Sequence, residues 1–257
     1  MAYAKLAGVR EYVFTLEYDR GVDPIADVFI DHPEAIARSV ACNVVDEDMW
    51  RIDRFTGPEH AIDALEELVL DANRCNECPE GACDSYREHE LLETSPTTAT
   101  VYTYRQGIDA CPALPYPASE HLGPGLFFET RRRGDEYVWR ILTRDGTGAG
   151  ELFDHVRESF PDTIGISLSQ TGDPTHWGDG EDDRDELPYE QRAALEAAVD
   201  AGYYQTPRES TLAEVAEDAG IPRSTLQYRL QNAETWLATE FTEGCLGVDE
   251  DVPERAP

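Results

Sequence analysis

Tyr12, Phe14, Leu16 and Tyr18 alternate with other residues, the period of a strand with one buried face. Pro24 to His32 reads as a short helix. Arg38 to Val45 and Met49 to Thr56 flank the acidic turn Asp46-Glu47-Asp48 and predict a hairpin. Pro58 stands at a first helical turn, and Ile62, Leu65, Leu68 and Val69 then share one face. Thr98 to Tyr104 reads as a further strand. Leu126 to Arg132 and Tyr137 to Thr143 flank Gly134-Asp135, a second hairpin signal. Glu151 to Phe160 reads as a helix, and Ile164 to Leu168 as a closing strand. The order β-α-β-β-α-β, then β-β-α-β, predicts an α+β region of one or two ferredoxin-like units. Small-molecule sensor modules are often built this way, an analogy of fold alone.

The pattern changes after Trp177. Gly178 to Glu186 contains no apolar residue and reads as an acidic linker. Residues 188–241 lack strand alternation and predict an all-α domain. Ala194, Leu195, Ala198 and Val199 form a stripe that ends near Gly202. Ser210 or Thr211 can cap the next helix, with Glu214 at capping-box spacing from Thr211. Leu212, Val215 and Ala216 face inward, and Gly220 supplies the left-handed residue that ends the helix. Ile221 can bury itself in the turn. Ser224 can cap a longer helix in which Leu226, Leu230, Ala233, Trp236 and Leu237 recur at helical spacing. A short helix, a glycine turn and a longer helix make a helix-turn-helix. The expected organisation is an α+β sensor region at 1–177, a linker at 178–186, a helix-turn-helix domain at 187–246 and a disordered acidic tail at 247–257.

Charge alters this picture in two ways. The 257 residues carry a formal charge of −32, and Lys5 is the one lysine. Such self-repulsion destabilises a compact state in ordinary salt. In molar salt the screening length falls to about 3 Å. A carboxylate-rich surface spread over the whole chain therefore indicates adaptation to a salt-loaded cytoplasm, as in haloarchaea. No apolar run is long enough to span a membrane. The first residues show no basic segment followed by an apolar one, so a cytoplasmic location is expected. Against this background Pro222 to Gln231 contains Arg223 and Arg229 and no acid. The second helix is expected to present Arg223, Ser224, Thr225, Gln227, Tyr228 and Arg229 to double-stranded DNA. Arg reads guanine and Gln reads adenine in the major groove, while Ser, Thr and Tyr serve phosphates.

The runs Leu187-Pro-Tyr-Glu-Gln-Arg-Ala-Ala-Leu195, Ala201-Gly-Tyr-Tyr204, Pro207-Arg-Glu-Ser-Thr211, Glu214-Val-Ala216 and Gly220-Ile-Pro-Arg-Ser-Thr225 cover about 55 residues. Together they resemble the bacterio-opsin activator helix-turn-helix family of haloarchaea. The resemblance implies a transcription regulator. Some members of that family activate bacterio-opsin or anaerobic-respiration genes. A second cation is expected further along the last helix, where this chain has Glu234 and Thr235. The resemblance does not extend to the sensor region beyond its general layout.

Cys75-Asn-Glu-Cys78-Pro-Glu-Gly-Ala-Cys83 gathers three thiols among polar residues. Disulfides are not expected in a reducing cytoplasm. Thiolates suit zinc or an iron–sulfur cluster, or a redox-switching thiol pair. A fourth ligand must come from elsewhere: Cys111 first, Cys42 second, His89 third. Cys245 follows the last helix and is not expected to take part. His32, His60, His121, His155 and His176 share no motif spacing and read as structural or surface residues. Arg131-Arg132-Arg133 reads as part of a solvated turn, because Asp135 and Glu136 follow. The chain has no phosphate-binding loop, no Gly-x-Gly-x-x-Gly and no Gly-x-Ser-x-Gly. The expectation is a homodimeric, non-enzymatic regulator that senses a redox, oxygen or metal signal. The rivals are a regulator of an organic ligand with a structural metal, and a metal-dependent enzyme with a DNA-tethering domain.

Overall fold

The computed structural model describes residues 9–71, 73–76, 85–108, 111, 113–144, 147–172 and 187–245. The chain divides into two compact units, Met1–Thr175 and His176–Pro257. The expected linker at 178–186 and tail at 247–257 lie outside the described residues.

The first unit runs β1 (Arg10–Tyr18), α1 (Pro24–Asp31), β2 (Ile36–Val45), β3 (Asp48–Thr56) and α2 (Glu59–Val69). It continues with β4 (Tyr86–Ser95), β5 (Thr98–Gln106), α3 (Pro115–Leu122), β6 (Phe127–Arg133), β7 (Glu136–Thr143), α4 (Ala149–Ser159) and β8 (Ile164–Gly172). Eight strands form one sheet in the order β4-β5-β3-β2-β6-β7-β1-β8, and every pairing is antiparallel. β1 is inserted between β7 and β8, with Phe14 opposite Trp139 and Leu16 opposite Ile166. Two consecutive ferredoxin-like units would instead place β1 beside β3. The sheet therefore does not divide into two units in chain order.

Local chemistry explains most elements. The expected alternation of β1 buries Tyr12, Phe14, Leu16 and Tyr18. Asp23 caps α1 by accepting from the backbone N–H groups of Ile25 and Ala26, and Pro24 opens the helix. Asp46 takes the left-handed conformation (φ 53°) at the β2–β3 turn, and Gly134 (φ 58°) does so between β6 and β7. Two elements break expectation. β4, Tyr-Arg-Glu-His-Glu-Leu-Leu-Glu-Thr-Ser, is an edge strand with no fully buried position and four charged residues, so it carries no apolar alternation. α3 contains Pro115 and Pro117 in its first turn and has no side-chain cap, which conceals it in the sequence.

Helices α3 and α4 cover β1, β6, β7 and β8, closing a core around Phe14, Leu16, Trp139, Ile141, Leu152 and Val156. Helices α1 and α2 pack with Ala37, Phe55, Ala99 and Val101. A third, smaller cluster joins Met49, Cys75, Ile108, Cys111 and Ala113. Fully burying one large apolar side chain contributes about 1.5–3 kcal/mol.

The second unit contains α5 (Tyr189–Asp200), α6 (Leu212–Asp218) and α7 (Arg223–Cys245). Ala194, Ala198, Val215, Ala216, Leu226 and Leu230 form its core, and Ile221 packs against it from the turn as expected. Cys245 is the last residue of α7 rather than part of a segment beyond it. Among the described residues no helix is long and apolar enough to cross a membrane.

Candidate nucleic-acid interface and cysteine site

The geometry of the helical unit is set by three helix ends. α5 ends at Gly202 (φ 70°), where the N–H of Tyr203 bonds the carbonyl of Ala198 and that of Gly202 bonds Val199. This is the pair of bonds that closes a helix around a left-handed residue. A Cβ on Gly202 would also lie 2.7 Å from the Glu209 carboxylate. Thr211 caps α6 with the full capping box: the Glu214 N–H donates to Thr211 Oγ1, and the Thr211 N–H donates to the Glu214 carboxylate at 2.7 Å. The bond from the Thr211 N–H first, and the Thr211 hydroxyl second, hold the Glu214 carboxyl below its ordinary range. α6 ends at Gly220 (φ 66°) by the same pair of bonds, Ile221 to Ala216 and Gly220 to Glu217.

α7 begins one residue before the expected cap. The Pro222 carbonyl accepts from the N–H groups of Thr225 and Leu226, so Ser224 lies inside the first turn. Arg223, Ser224, Gln227 and Tyr228 are exposed, Tyr228 by 66%, whereas Thr225 and Arg229 are half-buried. The first turn of α7 holds no acid. Leu226 and Leu230 anchor the opposite face in the core, which fixes the direction in which the exposed residues project. Glu234, which stands where a cation was expected, accepts a 2.6 Å hydrogen bond from Tyr204 Oη. Burial, and then this bond, push the Tyr204 phenol well above its ordinary range. Arg208 lies 4.4 Å from the centre of the Tyr203 ring.

In the sheet unit, Cys75 and Cys111 are buried in one cluster. Arg105 Nη2 donates to Cys111 Sγ at 3.4 Å. Cys42 is buried in the larger core that contains β1. Cys78 and Cys83 lie outside the described residues. His89 Nδ1 is 3.0 Å from Thr103 Oγ1. Burial first, and the nearby Arg105 and Arg87 guanidiniums second, push its imidazole below the usual range and favour the neutral ring.

Sequence spacing missed two arrangements. His32 Nδ1 and His60 Nε2 lie 3.2 Å apart, and Glu34 completes a group of three potential metal ligands within 4.8 Å of one another. The ends of α1 and the start of α2 bring these residues together, and no motif spacing encodes that. Arg132, expected in a solvated turn, is buried instead. Its guanidinium donates to Asp23 at 2.8 Å and lies over the Tyr18, Phe29 and Tyr137 rings. The strand alternates through the Arg131-Arg132-Arg133 run, so the middle residue turns inward.

Comparison with known proteins matches both units. The HVO_2928_N family, an N-terminal domain, matches residues 11–177, and an HTH DNA binding domain, HTH_10, matches residues 187–239. A dimethyl sulfoxide reductase transcriptional activator of Haloferax volcanii is 44% identical over 68 residues, 26% of this chain and 32% of that protein. The protein of the same name from Halobacterium salinarum is 47% identical over 58 residues, 22% of this chain and 26% of its own. The transcriptional regulator NarO of Haloferax volcanii is 46% identical over 55 residues, 21% of this chain and 26% of its own. The chain thus spans a third or less of these relatives. With the N-terminal match covering well over half of its length, the chain belongs to the HVO_2928_N family and carries an HTH DNA binding domain at residues 187–239.

Proposed function

We propose that α7 reads operator DNA through Arg223, Ser224, Thr225, Gln227, Tyr228 and Arg229, in a homodimer whose two copies of α7 address two half-sites. The observation that carries this reading is the acid-free start of α7, with Arg223 and Gln227 exposed in a chain of charge −32. Positive charge at a helix start favours the phosphate backbone, and the exposed side chains supply base-edge contacts. The test is selection of duplexes from a random pool in molar KCl, then binding by Arg223→Ala and Gln227→Ala. Each substitution that removes a base contact weakens binding by about 1–3 kcal/mol and relaxes specificity at one position. Unchanged affinity in both variants would place the reading surface elsewhere.

The sheet unit, on this reading, senses a redox, oxygen or metal signal through Cys75, Cys78 and Cys83, with Cys111 or Cys42 as a further thiol. Zinc or an iron–sulfur cluster is the group such thiols would hold. The burial of Cys75 and Cys111 in one cluster supports Cys111 over Cys42 as that thiol. The strand order β6-β7-β1-β8 with α3 and α4 supports one ferredoxin-like unit into which the intervening residues are inserted. Anaerobic purification, elemental analysis and visible absorbance test the thiol site. Cys75→Ser that leaves metal content and signal response unchanged would remove it.

A further inference from the structure

The sheet unit contains a cavity, partly open to solvent, between α1, α2 and the face formed by β3, β4 and β5. Its charge is opposite to that of the chain. Among the described lining residues Arg51, Arg87, Arg105 and Arg132 face one carboxylate, Asp53. A guanidinium remains protonated when buried, so this charge is permanent.

Arg105 donates from Nη2 to Ser85 Oγ at 3.0 Å and to Cys111 Sγ at 3.4 Å. Arg51 is held by Asp53 at 2.5 Å, by Ser39 Oγ at 2.9 Å and by Tyr137 Oη at 3.0 Å. Arg132 is held by Asp23 among three aromatic rings. Arg87 and Arg105 sit directly opposite one another on β4 and β5, and both line the cavity. Like charges directly opposite in an antiparallel pair are destabilising. An anion between them reverses the sign of that interaction.

Two polar atoms in the same wall point to further ligand contacts. Asn76 Nδ2 donates to the Val69 carbonyl, which leaves its Oδ1 buried with no hydrogen-bond partner. His89 Nε2 is likewise buried with no partner, while Nδ1 meets Thr103. Buried polar atoms are normally satisfied, and an orphan beside a cavity is satisfied by what enters it. Phe29, Phe55 and Val69 supply an apolar flank.

We propose that this cavity binds a small organic anion: its carboxylate or phosphate head is held between Arg87 and Arg105, and its apolar body lies against Phe29, Phe55 and Val69. Arg matches the planar or tetrahedral oxygens of such heads with paired N–H donors. Asn76 Oδ1 and His89 receive polar hydrogens or bridging water at the margin. Cys75 lines the same cavity, so an occupant lies beside a residue of the thiol site. The assignment goes beyond DNA reading and stands without it, because its readout is binding in the sheet unit.

The test uses the full chain in molar KCl, melted with benzoate, with phenyl phosphate and with neutral benzamide. One or both anions raise Tm in a saturable way, benzamide does not, and the anion that acts identifies the head group. Arg87→Gln weakens that response by about tenfold or more. The ligand-free variant melts at or above the wild-type temperature, because a like-charged pair has been removed. Isothermal titration of the wild-type protein with the same three compounds decides the matter even where the variant does not fold. No response to either anion, an equal response to benzamide, or an anion response undiminished in a folded Arg87→Gln protein would overturn the assignment.

Discussion

In the sheet unit Arg51, Arg105 and Arg132 are almost wholly buried, and so are Glu11 and Asp23. In the helical unit Arg223 is exposed and Arg229 half-exposed, and Arg192 is the buried cation among the described residues. The chain has twenty arginines and one lysine to set against 53 acids. Their placement therefore marks where positive charge is needed. In one unit it neutralises carboxylates inside the fold and lines a cavity. In the other it stands on the outer face of a helix, where a polyanion can reach it. The difference teaches that net charge says little about either unit's ligand, while the local distribution says much.

The largest effect expected from this contrast is at Asp23. Its carboxylate binds the side chains of Arg132 and Arg74 and also caps α1. Asp23→Ala leaves Arg132 buried without that carboxylate. Breaking a buried pair by removing one partner costs about 3–5 kcal/mol. Thermal melts in molar KCl should show the sheet unit destabilised by that order. Arg223→Ala should leave stability within about 0.5 kcal/mol, as befits an exposed residue, while it weakens DNA binding. Similar melting of the two variants would erase the distinction between inward and outward charge.

Salt tests the same contrast more broadly. Dilution from about 3 M to about 0.1 M KCl lengthens the screening distance from below 3 Å to about 10 Å. The exposed carboxylates then repel one another, whereas close buried pairs such as Arg132–Asp23 are screened little at either salt. Circular dichroism of the full chain should show loss of cooperative structure on dilution. A cooperative melt retained in full at low salt would defeat the argument from surface charge.

The two units also differ in how much of them the sequence discloses. In the helical unit the decisive interactions are local: Thr211 with Glu214, Gly202 with Glu209, Gly220 with Glu217 and Ile221 with Ala216. Each spans a few residues, so capping and turn chemistry reveal it. The start of α7 was displaced by one residue because Pro222 and Ser224 both satisfy the preferences of a helix start. In the sheet unit periodicity reveals which face of β1 is buried, yet it carries no information about which strands flank it. The partners of β1 are β7 and β8, more than a hundred residues away. The cavity is illegible for the same reason, since Arg51, Arg87, Arg105 and Arg132 come from four different strands. The edge strand β4 hides a functional face behind charged alternation, and α3 hides behind its prolines.

The smallest effect concerns the capping box, which lies wholly at the surface and so isolates local charge from burial. Glu214 is exposed, and two interactions with Thr211 lower its folded-state pKa, the bond from the backbone N–H first. A carboxyl whose pKa is depressed on folding binds its proton more readily in the unfolded chain. Its contribution is therefore present above the unfolded value, about 4.3 for a glutamate, and is lost as pH falls through the lower folded value. Glu214→Gln retains an acceptor for the Thr211 N–H but has no proton to bind. In acid melts at molar KCl, the wild-type helical unit should lose stability across this window more steeply than the variant. Superimposable acid limbs would mean that the box acts as a neutral hydrogen-bond pair, and that charge contributes to this unit through DNA alone.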